Sequence, residues 1–421
     1  MTEAFLHYLW KYKLLNLNEL ITVDGIPVSV ISPGLHNFNS GPDFSNAKIK
    51  IGDTTWAGNV EIHLRTSDWL KHGHQYDKAY DNIILHVVHH HDKEINSNAP
   101  VLELKQKFDP SLWIRFEKMI TAYQFVPCEK HINEIDKIVL DSWLERLIVE
   151  RLENKSEAIL NSLELNKNNW EETFYHLIAR NFGFKINSVP FELLAKSLPL
   201  HILAKHKNSL FQIEALLFGQ AGLLADIFED DYPNKLKKEY QYLRKKFNLN
   251  PVEEYLWKFM RLRPVNFPTI RIAQFAQLIL KSTNLFSKIR EAGNSKEILN
   301  YFNLQASDYW NDHFVFDKHS RCKVKTFGAS SMYNVVINTV VPMLFVYGKY
   351  HNYEKMVQKS MELLEAVPAE DNTIIRGWSG FGLEPKTAYE SQALIQLKNE
   401  YCVQKKCLNC AIGAKIISGV S

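Results

Sequence analysis

HNFNSGPDFSNAKIKIGDTTWAGNVEIHLRTSDWLKHGHQYDKAYDNIILHVVHHH, residues 36–91, is the stretch whose reading decides the fold. Ala47 to Ile51 alternates apolar and polar residues, the period of a strand with one buried face. Gly52-Asp53 turns the chain, and Thr55 to Leu64 reads as the returning strand. Ser67 suits the N-cap of a helix running to about Tyr80, because its hydroxyl can accept from an otherwise unpaired backbone N–H. Ile83 to Val88 is continuously apolar, as in a central strand covered on both faces. Upstream, Phe5, Leu6, Leu9, Trp10, Leu14 and Leu15 have helical spacing within residues 3–20, with Thr2 at the start. Ile26 to Ile31 reads as a β-branched strand after the Asp24-Gly25 turn, a Gly- and Asn-rich loop spans Ser32 to Asn46, and Val101 to Leu104 adds an edge strand. Helix, three strands, helix, strand predicts a mixed sheet with helices on both faces, an α/β domain over residues 1–110.

Beyond residue 130 the periodicity becomes helical. Ile138 to Leu163, Trp170 to Phe182, Gln212 to Phe228, Leu236 to Phe247, Ile270 to Leu280 and Met332 to Tyr347 carry the clearest patterns, separated by Pro and Gly. No fixed repeat period links them, so residues 131–421 read as one larger, irregular all-α domain, with 111–130 as the junction. The class is α+β or α/β with an all-α partner. At 421 residues, 46% hydrophobic, with nine Trp and 24 Phe, the chain has ample material for real cores. Net charge is +3, which neither demands nor excludes nucleic acid. The N-terminus lacks the apolar run of a signal peptide, and Val335 to Tyr347 falls short of a membrane span, so the reading is a cytoplasmic protein with no membrane partner. Oligomeric state is not readable.

Nine of the sixteen histidines fall in the first 100 residues, interleaved with Asp43, Glu61, Asp68 and Asp77. Carboxylates and imidazoles placed along strands and their turns are how proteins hold divalent cations. Period two puts Glu61 and His63 on one face of a strand, able to meet one ion or one water. His72, His74 and Asp77 form H-x-H-x2-D. On a helix, His74 and Asp77 share a face and His72 does not; a late helix start would bring all three to the site. Asp68 or Asp81 would orient a ligating imidazole. His86, inside an apolar strand, reads as a satisfied core histidine. Carboxylate oxygens favour Mg2+ or Mn2+, and the histidines keep Mn2+ or Zn2+ open.

Gly41-Pro42-Asp43 ahead of the second strand and Glu61-Ile62-His63 in the third resemble the PD-(D/E)xK nuclease superfamily, over about 90 residues. The resemblance implies a restriction-endonuclease-like core. It makes Asp43 and Glu61 ligands of a divalent cation and puts His63 in the place of the lysine that orients or activates the attacking water. A histidine there supplies no fixed ammonium at pH 7. Glu3, on the first helix, matches a place where many such nucleases keep another acidic ligand. The strings GPDFSNA, GNVEIHLRTSDWLKHGH and YDNIILHVV, with FPTIRIAQFAQL and the C-terminal cysteines, resemble an uncharacterised bacterial family that brings no activity with it.

Cys402-x4-Cys407-x2-Cys410 has the spacing of three ligands of an iron–sulfur cluster or, with a fourth, of tetrahedral zinc. Cys128, Cys322 or a histidine would supply the fourth. Some nucleases of the resembled superfamily join such a trio to an upstream cysteine around an iron–sulfur cluster. Arg261, Arg263 and Arg271 flank Pro264 and Pro268 near a helix start, a setting that suits phosphate. Arg376, Trp378 and Lys386 form a basic, aromatic loop that would stack a base.

Together these point to a divalent-metal-dependent phosphodiesterase acting on DNA or RNA, with Asp43, Glu61 and His63 catalytic. One alternative is a non-catalytic nucleic-acid-binding module with a degenerate core. Another is a zinc-dependent hydrolase of small substrates in which His63, His72 and His74 ligate together.

Overall fold

A computed structural model describes residues 1–37, 39–96 and 99–419. Phe38, inside the expected loop Ser32 to Asn46, lies outside them. The chain forms two compact units: Met1–Leu147 with Arg376–Leu383 and Leu394–Ser421, and Ile148–Ile375 with Glu384–Ala393. The first unit takes in the whole of residues 1–130 and also the C-terminal cysteine segment.

In the first unit, helix α1 (Glu3–Lys11) begins at Thr2, whose hydroxyl accepts the Phe5 N–H. It buries Phe5, Leu6, Leu9 and Trp10 almost completely and packs across the sheet. Each such side chain contributes roughly 1.5–3 kcal/mol of transfer free energy. The strands are β1 (Val28–Ser32), β2 (Leu35–His36), β3 (Phe44–Ile51), β4 (Thr54–Arg65), β5 (Ile83–His90) and β6 (Val101–Glu103). Their order is β1-β3-β4-β5-β6, with β2 paired to β3. The β1-β3 and β3-β4 pairs are antiparallel, whereas β4-β5 and β5-β6 are parallel. This is the mixed sheet expected from the order of elements.

β4 is the central strand. Its residues Val60 to His63 are all buried, so both faces of this segment are covered. β5 is buried from Ile83 to Val88, in keeping with its unbroken apolar run. The connection between them departs from expectation. Helix α2 spans only Asp68–Lys71, because Gly73 adopts φ +76° and ends it; short 3-10 turns at His74–Tyr76 and Lys78–Tyr80 follow. Ser67 makes no capping bond, since its hydroxyl and N–H are both held by Asp92. Helix α3 (Pro110–Thr121) follows, and Phe5 meets Phe108, Trp113 and Phe116 in an aromatic cluster.

The second unit is helical. Trp170–Phe182 forms a helix capped by Asn169, and Phe174, Phe182, Phe191, Phe275 and Phe286 fill its core. The helix expected over Gln212 to Phe228 is Leu210–Gln220. It stops ahead of Gly222, which sits at φ +78° with its backbone against Val252, where a Cβ would lie 2.5 Å from the carbonyl oxygen. Ala329–Tyr350 is long and apolar enough to cross a membrane by length and composition, and its apolar residues from Val335 to Val346 are largely buried within the unit. A two-stranded ribbon, β7 (His313–Val315) and β8 (Lys318–His319), is the unit's one described sheet.

Candidate functional site

Strand register brings Asp43 to Glu61. Phe44 pairs with Val60, so Asp43, just ahead of β3, lies beside Glu61 on β4. The Asp43 N–H donates to Glu61 Oε2 at 3.1 Å, and the Ile62 N–H donates to Asp43 Oδ2 at 2.9 Å. Each carboxylate is thus pinned by backbone next to the other. The parallel β4-β5 register puts His86 opposite Glu61. Two residues along β4, His63 projects to the same side as Glu61, its Nε2 3.5 Å from Glu61 Oε1.

Because α2 ends early, the following turn swings two further imidazoles inward. His72 Nδ1 lies 3.1 Å from His63 Nε2, and His74 Nε2 lies 3.3 Å from Glu61 Oε1. His63, His72 and His74 each bring a ring nitrogen within 4.8 Å of the other two. Asp77 does not join them. It is exposed and its Oδ1 accepts the Ala79 N–H, so the helical face that would pair it with His74 does not form. Asp68 is likewise engaged, by the Arg65 N–H and Lys71.

α1 adds a residue that sequence reasoning missed. His7 Nε2 is 3.3 Å from Asp43 Oδ2. The available signal was Glu3 and His7 at i and i+4, a polar pair on an otherwise buried helix. Glu3 is half-buried; burial raises its pKa, and both His72 and Asp43 act on its charge. Tyr80 stacks on His74 at 3.8 Å and Trp69 packs edge-on to His74 and against His86, closing the apolar side.

Electrostatically the two carboxylates are driven apart. Burial, then the Asp43 charge, pushes Glu61 up to about 8. Burial also acts on Asp43, but the His7 imidazole and the Ile62 N–H outweigh it and hold that carboxyl below its ordinary value. Burial, with His74 and His72, pushes His63 down to about 4, so it is neutral at pH 7. His63 Nδ1 is 2.9 Å from His86 Nε2. If Nδ1–H donates to His86, the Nε2 lone pair of His63 faces Glu61, the tautomer a metal ligand requires.

The donor set fits a divalent cation. Neighbouring ligands held about 2.1 Å from one ion stand roughly 3.0–3.4 Å apart. The contacts of Glu61 with His74, of His63 with His72 and of Asp43 with His7 fall in that range. His74 Nε2 and His7 Nε2 are buried without a hydrogen-bond partner, though each is close to a carboxylate oxygen. Such orphaned nitrogens are costly unless something binds them. A cation between the carboxylates would also offset the burial and the Asp43 charge that raise Glu61.

Cys128, Cys402, Cys407 and Cys410 line one small cavity with Tyr401 and Ile412, and all four are free thiols. Cys322 is exposed in the second unit. One expected phosphate contact and one expected base-stacking ring take other partners. Arg271 is buried, and its guanidinium donates to Gln274 Oε1, Asn266 Oδ1 and Ser331 Oγ between the rings of Phe184 and Phe327, so it braces the core. Trp378 is fully buried and donates to the Leu394 carbonyl, which leaves no face for a base. Arg261 and Arg263 are exposed.

The family described as "Protein of unknown function (DUF2851)" matches residues 3–373, nearly the whole chain. That span holds every residue of the β4 cluster and ends ahead of the C-terminal cysteine trio. No curated protein and no solved structure matches the chain.

Proposed function

The chain belongs to this family of unknown function, and we propose that its β4 cluster is the centre of a divalent-metal-dependent phosphodiesterase. The observation that carries this is the pairing of Asp43 with Glu61 through reciprocal backbone bonds, with His63 beside them. The order helix, four strands (one of them the two-residue β2), helix, strand around a central β4 supports the resemblance to the PD-(D/E)xK nucleases. In this reading Asp43, Glu61 and His74 hold the ion, with His63 or His72 completing the set. Bound Mg2+ or Mn2+ would supply charge neutralisation at a phosphate oxygen and a lowered pKa for water.

The chain's own groups do the rest. The backbone bonds at Asp43 and Ile62 fix the carboxylates before substrate arrives, so no reorganisation is needed at the reacting centre. Neutral His63, in the lysine's place, offers its Nε2 lone pair to the ion, positioned by His86. Trp69 and Tyr80 exclude water behind His74.

The test is hydrolysis of single- and double-stranded DNA and RNA, and of bis(p-nitrophenyl) phosphate, with Mg2+, Mn2+ or Zn2+. Wild type is compared with Glu61→Gln, which keeps an acceptor for the Asp43 N–H. Metal-dependent cleavage lost in the variant supports the reading; cleavage unchanged in the variant, or absent with every metal and substrate, contradicts it. Proximity of His63, His72 and His74 favours a second reading, a zinc-dependent hydrolase of small phosphoesters. It is distinguished by turnover of the small ester with Zn2+ and none of nucleic acid.

The four-cysteine cavity is read as a separate thiolate centre for zinc or an iron–sulfur cluster. Burial pushes the Cys128 and Cys407 thiols up to about 12 when no metal is bound, and neighbouring cysteines add to it. Four S–H groups side by side, three of them buried, contribute little, whereas a soft cation holds all four as thiolates. Elemental analysis of anaerobically purified protein checks this: iron with acid-labile sulfide, or zinc, lost in Cys407→Ser, against neither metal in wild type.

A further inference from the structure

We infer a second metal site, in the helical unit, formed by Asp230, His313 and His319. It has no connection with the β4 cluster and does not depend on the reading given for it. Ligand atoms of these three residues lie within 4.8 Å of one another. His313 and His319 are cross-strand partners in the β7-β8 ribbon, which sets their rings side by side with centroids 4.4 Å apart.

Asp312 holds both rings from behind. Its Oδ1 lies 2.8 Å from His313 Nδ1 and its Oδ2 lies 3.1 Å from His319 Nδ1. The Tyr309 carbonyl oxygen also lies 3.0 Å from His313 Nδ1, and the Tyr309 ring stacks on His313 at 4.1 Å. A carboxylate or carbonyl accepting from one ring nitrogen, with the other left bare, is the arrangement of a metal-ligating histidine.

The bare nitrogen is present. His313 is 3% exposed, and its Nε2 is buried without a hydrogen-bond partner. It stands 3.2 Å from Asp230 Oδ2, close to the roughly 3.3 Å between two ligands of one tetrahedral zinc ion. Asp230 is prepared for that role too. It occupies the N-cap of the helix Asp231–Phe247 yet makes no capping bond with its side chain. Its backbone N–H and that of Glu229 are held by the Asp317 carboxylate at the ribbon's turn, and Tyr309 donates to its Oδ2 at 2.7 Å.

Two imidazoles and one carboxylate suit Zn2+, or another borderline divalent transition ion, with the exposed His319 side leaving a coordination position to solvent. The ion would clip the ribbon to the start of the helix.

The experiment is Zn2+ titration of metal-stripped, reduced protein against a chromophoric chelator, with Tm recorded alongside. Wild type is expected to bind one equivalent more than His313→Gln or His319→Ala, and to gain several degrees in Tm that the variants do not. Should buried His313→Gln fail to fold, His319→Ala decides alone, since that side chain is exposed. Equal zinc uptake and equal Tm response in wild type and His319→Ala overturn the site, leaving an ion-paired ribbon. Loss of zinc from Glu61→Gln reports on the β4 cluster and does not bear on this result.

Discussion

Asp43 and Glu61 hold each other through the backbone: the Asp43 N–H donates to the Glu61 carboxylate while Asp43 itself accepts from Ile62, the residue after Glu61. Two acids eighteen positions apart are thereby locked side by side at the middle of the sheet. Burying paired carboxylates is unfavourable, and burial, then the Asp43 charge, pushes Glu61 up to about 8. The arrangement costs stability that a bound cation would return.

His86 does not reach the carboxylates but positions His63 through the 2.9 Å nitrogen–nitrogen contact. His86→Phe keeps a planar ring, somewhat larger than imidazole, and removes that partner. Divalent-metal affinity is expected to fall by roughly 10–100-fold, the usual effect of losing a ligand's orienting group. Isothermal titration checks it, with circular dichroism reporting an unchanged fold.

Gly73 separates His72 from His74 and ends α2 at φ +76°. A Cβ there meets nothing within 4 Å, so only backbone strain opposes substitution. Gly73→Ala is expected to cost about 1 kcal/mol and Gly73→Asn less, because Asn tolerates the left-handed region. Denaturant unfolding reads the difference, and metal affinity should follow the same order as the two imidazoles lose their alignment.

Glu214 gives the helical unit a pH dependence. It is buried, accepts from Tyr232 and Ser307, and is pushed up to about 7, by burial first. Its folded-state pKa exceeds its unfolded value, so the folded state keeps a proton that the unfolded chain releases. Its contribution to stability is therefore full below about pH 4.5 and is lost as pH rises through 7. The change is on the order of 3 kcal/mol. Urea unfolding between pH 4.5 and 8 should show this slope in wild type and lose it in Glu214→Gln.

Much of this was legible in residue order. Alternation in Ala47 to Ile51 and the apolar run of β5 follow from local periodicity, and period two alone put Glu61 and His63 on one side of β4. What escaped depends on contacts distant in sequence. His7 reaches Asp43 only because α1 packs across the sheet. Asp230 and His313 are 83 positions apart, and Asp312-His313 with His319 signals only once the ribbon pairs. Gly73 reads as one weak residue inside a helical pattern, and its positive φ is what turns His74 inward. Arg271 looked like an anion contact because guanidinium chemistry is the same whether it meets phosphate or the buried amides of a core.

The most direct test of the central claim is Mn2+ binding, followed by the loss of the free-ion resonance in electron paramagnetic spectra. Folded Glu61→Gln and Asp43→Asn should each bind one ion fewer than wild type. Identical Mn2+ uptake by wild type and both folded variants would contradict the claim that these two carboxylates hold a metal.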